Sequence, residues 1–184
     1  VLRPAGPTIP QYGVPLSAAE QRVLVPCGAT WERCETVDLD FAVTAAFLGI
    51  LGYSGDLAGL TPEQRGRLAA WSAVWKQWRN WMQGSHAMLL TPVAPITDRG
   101  GWAALQLLHR EHGASMLGVW RLDDPRPAMT VRLRGLVPDR RYGVRRLPDG
   151  ATEFRCGREL LEGGVTIVLA GMRHGAIYVI EPEG

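Results

Sequence analysis

Residues 61–82 read Thr-Pro-Glu-Gln-Arg-Gly-Arg-Leu-Ala-Ala-Trp-Ser-Ala-Val-Trp-Lys-Gln-Trp-Arg-Asn-Trp-Met and predict a long amphipathic helix. Thr61 can cap its N-terminus, Pro62 suits the first helical position, and Gln64 completes a Thr-x-x-Gln capping box. Apolar side chains then recur every three or four residues and form one stripe, which consists of Leu68, Trp71, Trp75, Trp78 and Met82. One side of this helix must therefore pack against a large apolar surface.

The tryptophans of this helix need a great deal of covering surface. Each indole can bury about 150–250 Å², which is more than the strand-rich remainder of the chain promises. We therefore expect a further layer outside this chain, either a missing N-terminal segment or a second copy in a homo-oligomer. A sugar-stacking platform is the alternative for this stripe, but tryptophans at helical spacing more often form core.

The rest of the chain divides into a helical first half and a strand-rich second half. An apolar run at 23–26 predicts a strand, and Asp38 or Asp40 can cap a helix that runs to about Leu51 and is followed by a turn at 52–56. After Gly84 the apolar period falls from 3.6 toward 2, and strands are predicted over 86–90, 102–109, 115–122, 129–135, 142–147, 165–170 and 176–181. Short strands separated by turn signals indicate an antiparallel β-sandwich. The sequence therefore predicts two domains, 1–83 and 84–184.

Charge and composition narrow the function classes. A net charge of +2 is too small to imply a polyanionic partner, so we expect no nucleic acid. No window approaches the roughly 20 apolar residues of a membrane span, so we expect no membrane partner. Three cysteines, an odd and sparse set, fit free thiols in a reducing compartment, which favours a cytoplasmic location. Residues 1–16 are rich in proline and lack a period, and we interpret them as a connector in a fragment of a longer protein.

Two groups of side chains are weak candidates for chemistry. Glu32, Glu35, Asp38 and Asp40 cluster ahead of a helix, where carboxylates more often cap or meet solvent than act as an acid/base pair. The other group comprises Cys27, Cys34, His86, His109, His112 and His174, which show no zinc-ligand spacing. We therefore predict no metal site.

Two further features bear on binding. The one basic cluster consists of Arg132, Arg134, Arg140, Arg141, Arg145 and Arg146, and alternation along two strands would place it on a solvent face. No aromatic row interleaves with it, as single-stranded nucleic acid would need. Trp31, by contrast, stands in a polar loop after a predicted strand, where an indole can stack on a sugar ring. Trp31 is therefore the predicted substrate-binding residue.

Six motifs spread over the chain are similar to motifs of one known protein family. They are residues 17–21 (Ser-Ala-Ala-Glu-Gln), 40–44 (Asp-Phe-Ala-Val-Thr), 49–57 (Gly-Ile-Leu-Gly-Tyr-Ser-Gly-Asp-Leu), 60–64 (Leu-Thr-Pro-Glu-Gln), 74–79 (Val-Trp-Lys-Gln-Trp-Arg) and 134–139 (Arg-Gly-Leu-Val-Pro-Asp). The first five, with the loop around Trp31, are similar to the end of the catalytic barrel of glycoside hydrolase family 36, the α-galactosidase family. The sixth, ahead of Tyr142, resembles that family's C-terminal antiparallel β domain.

The resemblance implies an α+β fragment, in which the last helical units of a (β/α)₈ barrel are followed by an antiparallel β-sandwich. It implies a retaining exo-glycosidase with two aspartates, a nucleophile and a general acid/base, about 5–5.5 Å apart. Both belong to barrel strands expected upstream of Val1. The loop at 26–34 departs from the Asn-Trp-x-Tyr-Pro-Gln-Pro pattern that often occurs in relatives.

We therefore expect the C-terminal portion of an α-galactosidase-like glycoside hydrolase that acts on terminal α-linked sugars. Its substrate would be an α-galactoside-like carbohydrate, and no cofactor is implied. The 184-residue chain by itself is expected to be inactive, so its standing as an enzyme depends on the parent protein. The alternative is a non-catalytic carbohydrate-binding or structural β-sandwich module.

Overall fold

The structure is a computed structural model that describes residues 22–27, 38–55, 57–92, 100–109, 111 and 113–184, with the backbone alone for 22–27, 54 and 55. Two strands and two helices alternate first, namely β1 (Arg22–Cys27), α1 (Leu39–Phe47), β2 (Ile50–Gly55) and α2 (Pro62–Gln83). The strands that follow are β3 (Ser85–Leu89), β4 (Trp102–His109), β5 (Ser115–Arg121), β6 (Ala128–Val131), β7 (Arg141–Leu147), β8 (Thr152–Cys156), β9 (Val165–Val168) and β10 (His174–Pro182), with a short π-helix (Glu159–Gly163) before β9.

The first unit is a β-α-β arrangement. β1 and β2 pair in parallel, from Arg22 opposite Ile50 to Cys27 opposite Gly55, with α1 in the connection between them. Asp38 caps α1, since its Oδ1 accepts a hydrogen bond of 2.8 Å from the Phe41 backbone N–H. The prediction that this helix reaches Leu51 and is followed by a turn is wrong. The hydrogen bonds to β1 turn that segment into a strand, and no local pattern reveals them because β1 is remote in sequence.

Helix α2 begins as the sequence predicts. Thr61 Oγ1 accepts from the Gln64 backbone N–H at 3.2 Å, and Gln64 Oε1 accepts from the Thr61 backbone N–H at 2.9 Å. These two bonds satisfy donors that a helix N-terminus otherwise leaves unpaired. The helix ends at Gln83 and β3 begins at Ser85, so the secondary structure changes where the period of apolar residues changes. A division into two domains at this point stays a prediction.

The second half is mostly antiparallel sheet. Six strands form one sheet in the order β3-β4-β5-β10-β7-β8, and β6 pairs with β9 in a second, two-stranded sheet. A core that includes Leu117, Tyr142, Leu160 and Ile167 lies between them. All the strands predicted after Gly84 are present, but β6 ends at Val131, four residues before its predicted end, while the ends of the others shift by at most two residues. β8 and the π-helix were missed, because four of the five β8 residues are exposed and give no apolar alternation.

Both helices pack on the other face of the six-stranded sheet. α1 contacts β10 and β5, and α2 contacts β4. Their shared core joins Phe47, Trp71 and Trp78 of the helices to sheet residues such as Leu107 and Trp120. The predicted core role of the tryptophan stripe is thereby confirmed.

The chain covers much of the tryptophan face itself. Trp71 is 2% exposed and Trp78 is 7% exposed, while Trp75 and Trp81 are half-buried. The rings of Phe47 and Trp71 meet edge to face, with centroids 5.4 Å apart. Trp71 and Trp78 therefore need no layer outside the chain, contrary to expectation, because the sheet supplies their cover.

Candidate functional site

The carboxyl ends of β1 and β2 form the site that the sequence points to. Because the strands are parallel and in register, their ends at Cys27 and Gly55 lie at the same edge. Barrel and open α/β enzymes bind ligands at this edge of their parallel strands. Trp31, Glu32 and Glu35 follow β1 in sequence but lie outside the described residues. The role of Trp31 therefore stays a prediction.

The carboxylates near α1 have structural partners. Asp38 is the helix cap, and Asp40 accepts hydrogen bonds from Arg67 Nε (2.9 Å), Arg67 Nη2 (2.7 Å) and Trp71 Nε1 (2.7 Å). Burial raises the pKa of Asp40, but the hydrogen bonds from Arg67 and Trp71, together with nearby positive charge, hold this pKa below its ordinary value. Arg67 also reaches Asp149 at 3.3 Å. Asp40 thus fastens α1 to α2 as a carboxylate and is poorly suited to general acid catalysis.

The histidines and cysteines show no metal centre in the described part of the chain. No group of three His, Cys, Asp or Glu is placed there to hold an ion. His86 and His174 are exposed, and His109 is buried with its ring centroid 5.5 Å from that of Trp81. The Cys156 thiol donates to the Pro138 carbonyl. His112, Cys34 and the Cys27 side chain lie outside the described residues.

Five of the six arginines of the basic cluster are exposed, as predicted, but the prediction that they lie along two strands is wrong. β6 ends at Val131, so Arg132 and Arg134 lie beyond it, and Arg140 precedes β7. Three arginines of the cluster lie in β7. Two of them, Arg145 and Arg146, are adjacent in sequence, so they occupy opposite faces of the sheet.

A different cavity is present between the two sheets of the sandwich. It has a volume of about 410 Å³ and lies between strands β7, β8 and β10 on one side and β9 on the other. The residues that matter for its chemistry are Arg146, Glu153, Arg155 and Tyr178. We call this cavity the sandwich groove.

Strand register brings these side chains together. Arg146 of β7 is paired directly with Tyr178 of β10, and Val144 of β7 is paired with Glu153 of β8. Directly paired residues share a face, as do residues two apart in one strand. Arg146, Val144, Glu153 and Tyr178 therefore share the inner face. Sequence reasoning missed Glu153 and Tyr178, since pairing across strands is not visible in the composition of any one strand.

The charged and polar side chains of the sandwich groove suit the binding of a polar ligand. Arg155 Nη2 donates to Glu153 Oε2 at 3.1 Å. Burial raises the pKa of Tyr178, as does the charge of Glu153, while Arg146 lowers it, so that the phenol is neutral at pH 7. Glu153 is the only carboxylate among the lining residues, whereas retaining glycoside hydrolysis uses two. The groove can hold a polar ligand but is not built for that reaction.

One buried cation near this sheet is structural. Arg121 is 5% exposed, and its guanidinium donates to backbone carbonyls of the loops that flank it, which belong to Asp124, Pro125, Leu169 and Ala170. Five donors in a planar fork make arginine suited to such a role. Arg121 therefore ties the loop after β5 to the loop after β9.

No protein-family model and no curated protein sequence matches this chain. Among solved structures, it is similar to the galactosidase domain of the α-galactosidase–sucrose kinase AgaSK, with a TM-score of 0.72, 17% identity, and coverage of 90% of this chain and 22% of that one. The α-galactosidase from Lactobacillus brevis gives a TM-score of 0.70 at 17% identity over 88% of this chain and 22% of that chain. The family 36 α-galactosidase AgaA variant A355E D478A from Geobacillus stearothermophilus, in complex with stachyose, gives a TM-score of 0.73 at 18% identity over 90% of this chain and 22% of that chain.

These similarities show the fold. The chain spans about a fifth of the length of the α-galactosidases that it matches. The resemblance drawn from the sequence motifs is thereby confirmed as a shared fold with glycoside hydrolase family 36 structures.

Proposed function

We propose that this chain is the C-terminal portion of a retaining exo-glycoside hydrolase of α-galactosidase type, which hydrolyses terminal α-linked sugars. The observation that carries the proposal is the fold similarity to α-galactosidases over 88–90% of the chain, at TM-scores of 0.70–0.73. The sequence motifs and the β-α-β-α order of the first half agree with it.

The parallel pair supports a barrel assignment for the first half. Parallel sheets are ordinarily covered on both faces and contain more than two strands. β1 and β2 would then be the last strands of a (β/α)₈ barrel, with α1 and α2 as its last helices. The two catalytic aspartates would belong to barrel strands upstream of Val1. The missing partner would be an N-terminal barrel segment, while a homo-oligomer is the alternative.

Trp31 would contact the sugar in such an enzyme. The loop that contains it follows the carboxyl end of β1, at the edge where barrel enzymes place their ligands. An indole there offers a flat apolar face to a sugar ring. The substrate would be an α-galactoside, as the stachyose complex of the AgaA variant suggests for that enzyme.

The test is hydrolysis of 4-nitrophenyl α-galactoside by the 184-residue chain and by the product of the complete reading frame that encodes it. We expect turnover by the complete product alone, and in that product Trp31→Ala should raise KM with a smaller effect on kcat. Turnover by the 184-residue chain that is lost in Glu32→Gln or Glu35→Gln would place the catalytic pair in this chain. A complete product without any glycosidase activity would favour the non-catalytic module.

A further inference from the structure

The sandwich groove contains charge where the sheet pattern calls for apolar side chains. On the inner face of β7, Tyr142 and Val144 are buried in the core between the two sheets, and Arg146 is the next residue on that face. Arg146 is exposed because the groove is open at this position. The buried row of Tyr142 and Val144 thus ends in a positive charge that faces solvent in the groove.

Protection of a sheet edge accounts for only part of the charge in the groove. Charged side chains on edge strands prevent pairing with other molecules, and this accounts for Glu153 and Arg155, since β8 is the edge strand of the six-stranded sheet. Arg146 and Tyr178 belong to β7 and β10, both of which have neighbours on each side. Protection of an edge strand therefore does not explain why Arg146 and Tyr178 line the groove.

The groove also has one positive charge in excess. Glu153 is paired with Arg155, while the guanidinium of Arg146 has no hydrogen bond or ion pair within the described part of the chain. The nearby carboxylate of Asp40 is already held by Arg67. Arg146 is thus available to an anionic ligand.

The remaining lining residues suit a sugar ring. A volume of about 410 Å³ lies at the lower end of the range for small-molecule sites, roughly 300–1,000 Å³. The ring of Tyr178 provides apolar surface, and Glu153 and Arg155 offer donors and acceptors for hydroxyl groups. Arginine binds carboxylates with two parallel hydrogen bonds.

We propose that the sandwich groove binds a carboxylate-bearing monosaccharide unit, a hexuronate, with Arg146 on the carboxylate and Glu153 and Arg155 on the hydroxyls. The site is separate from the carboxyl end of β1 and β2 and goes beyond the proposed hydrolase function. It would attach the protein to acidic polysaccharides or their fragments.

The test is titration of the 184-residue chain with galacturonate by calorimetry, beside galactose and acetate at matched ionic strength. Galacturonate is expected to bind more tightly than either, because galactose lacks the carboxylate and acetate lacks the ring. Arg146→Gln should weaken galacturonate binding about tenfold or more, the effect expected from loss of a charge-assisted hydrogen bond. Arg145→Gln is the matched control, since it removes the same charge one residue away on the opposite face, and it should change affinity less than twofold.

A second measurement does not depend on the variants. In ¹⁵N-resolved NMR spectra of the unaltered chain, galacturonate should shift the amides of Gly150, Ala151, Gly164 and Thr166, which line the groove. Absence of binding, shifts confined to other regions, equal losses in the two arginine variants, or acetate or galactose binding as tightly as galacturonate would each overturn the proposal.

Discussion

Replacing Asp40 by asparagine measures how much stability the contact between the two helices contributes. In the folded chain the carboxylate accepts two hydrogen bonds of 2.7 Å, one from Trp71 Nε1 and one from Arg67 Nη2, and a third of 2.9 Å from Arg67 Nε. Asparagine keeps the shape and one acceptor oxygen but removes the negative charge. The change therefore tests the negative charge of Asp40 separately from the packing of its side chain.

The expected loss follows from the exposure of each partner. Trp71 is 2% exposed, so its hydrogen bond to a carboxylate belongs to the stronger class, about 1.5–3 kcal/mol. The Arg67–Asp40 ion pair is about one third exposed on each side, which places its contribution near that of surface pairs, about 0.2–1 kcal/mol. Since asparagine retains part of the Trp71 bond, we expect Asp40→Asn to lower the free energy of unfolding by about 2 kcal/mol.

The loss should depend on pH in one direction. The pKa of Asp40 is lower in the folded chain than in the unfolded chain, so its contribution is fully present above the unfolded pKa of about 3.9 and is lost as the pH falls through the folded pKa. The difference between the original chain and Asp40→Asn should therefore be largest near neutral pH and shrink below about pH 4.

Urea unfolding followed by tryptophan fluorescence and circular dichroism measures this difference. Asp149→Asn is the control, because Asp149 faces the same arginine at 3.3 Å but its side chain is 77% exposed. The control should cost less than about 0.5 kcal/mol. Equal losses in the two variants, or a loss below about 0.5 kcal/mol for Asp40→Asn, would refute the reasoning.

Three further changes test the β half. Arg121→Met should cost about 3 kcal/mol or more, because four backbone carbonyls lose their donor; a loss below about 1 kcal/mol in urea unfolding would contradict this role. Gly118→Ala should cost about 1–3 kcal/mol, because the new Cβ would overlap the Trp120 ring, and an unchanged Tm would show that the ring can move aside. Hydrogen bonds from Arg126 lower the pKa of Asp124 to about 2, and an NMR titration of this carboxyl group should show that value. In Arg126→Gln the pKa of Asp124 should rise toward about 4. The contribution of this carboxylate to stability should be lost as the pH falls from about 4 to 2.

The sequence is most informative where local chemistry decides the structure. The start of α2 follows from Thr61, Pro62 and Gln64, whose contacts are all within one helical turn. The strands after Gly84 follow from short apolar runs between turn signals, whether one face of the strand is buried, as in β7, or both are, as in β5. Both signals act over a few residues, so a single sequence contains them.

Prediction from the sequence fails where a segment's structure depends on pairing with a segment remote in the chain. The segment of β2 contains Gly52 and Gly55, which read as a turn until β1 provides its hydrogen bonds. The polar residues of β8 form a strand because β7 lies beside them. In the same way, the tryptophan stripe predicts burial but not what covers it, and the cover is the helix-facing side of the six-stranded sheet.

The position of the sandwich groove depends on this register in a way that also makes it rigid. Arg146 pairs with Tyr178, and the adjacent pair, Leu147 with Ile177, is buried on the helix-facing side of the sheet. A slip of one residue would reverse the faces of all four side chains and expose the apolar pair. The same burial that holds the sheet in register thus delivers Arg146 and Tyr178 to the groove. Because this placement comes from the core and not from a loop, Arg146→Gln should alter ligand affinity while the free energy of unfolding stays within about 0.5 kcal/mol of the original.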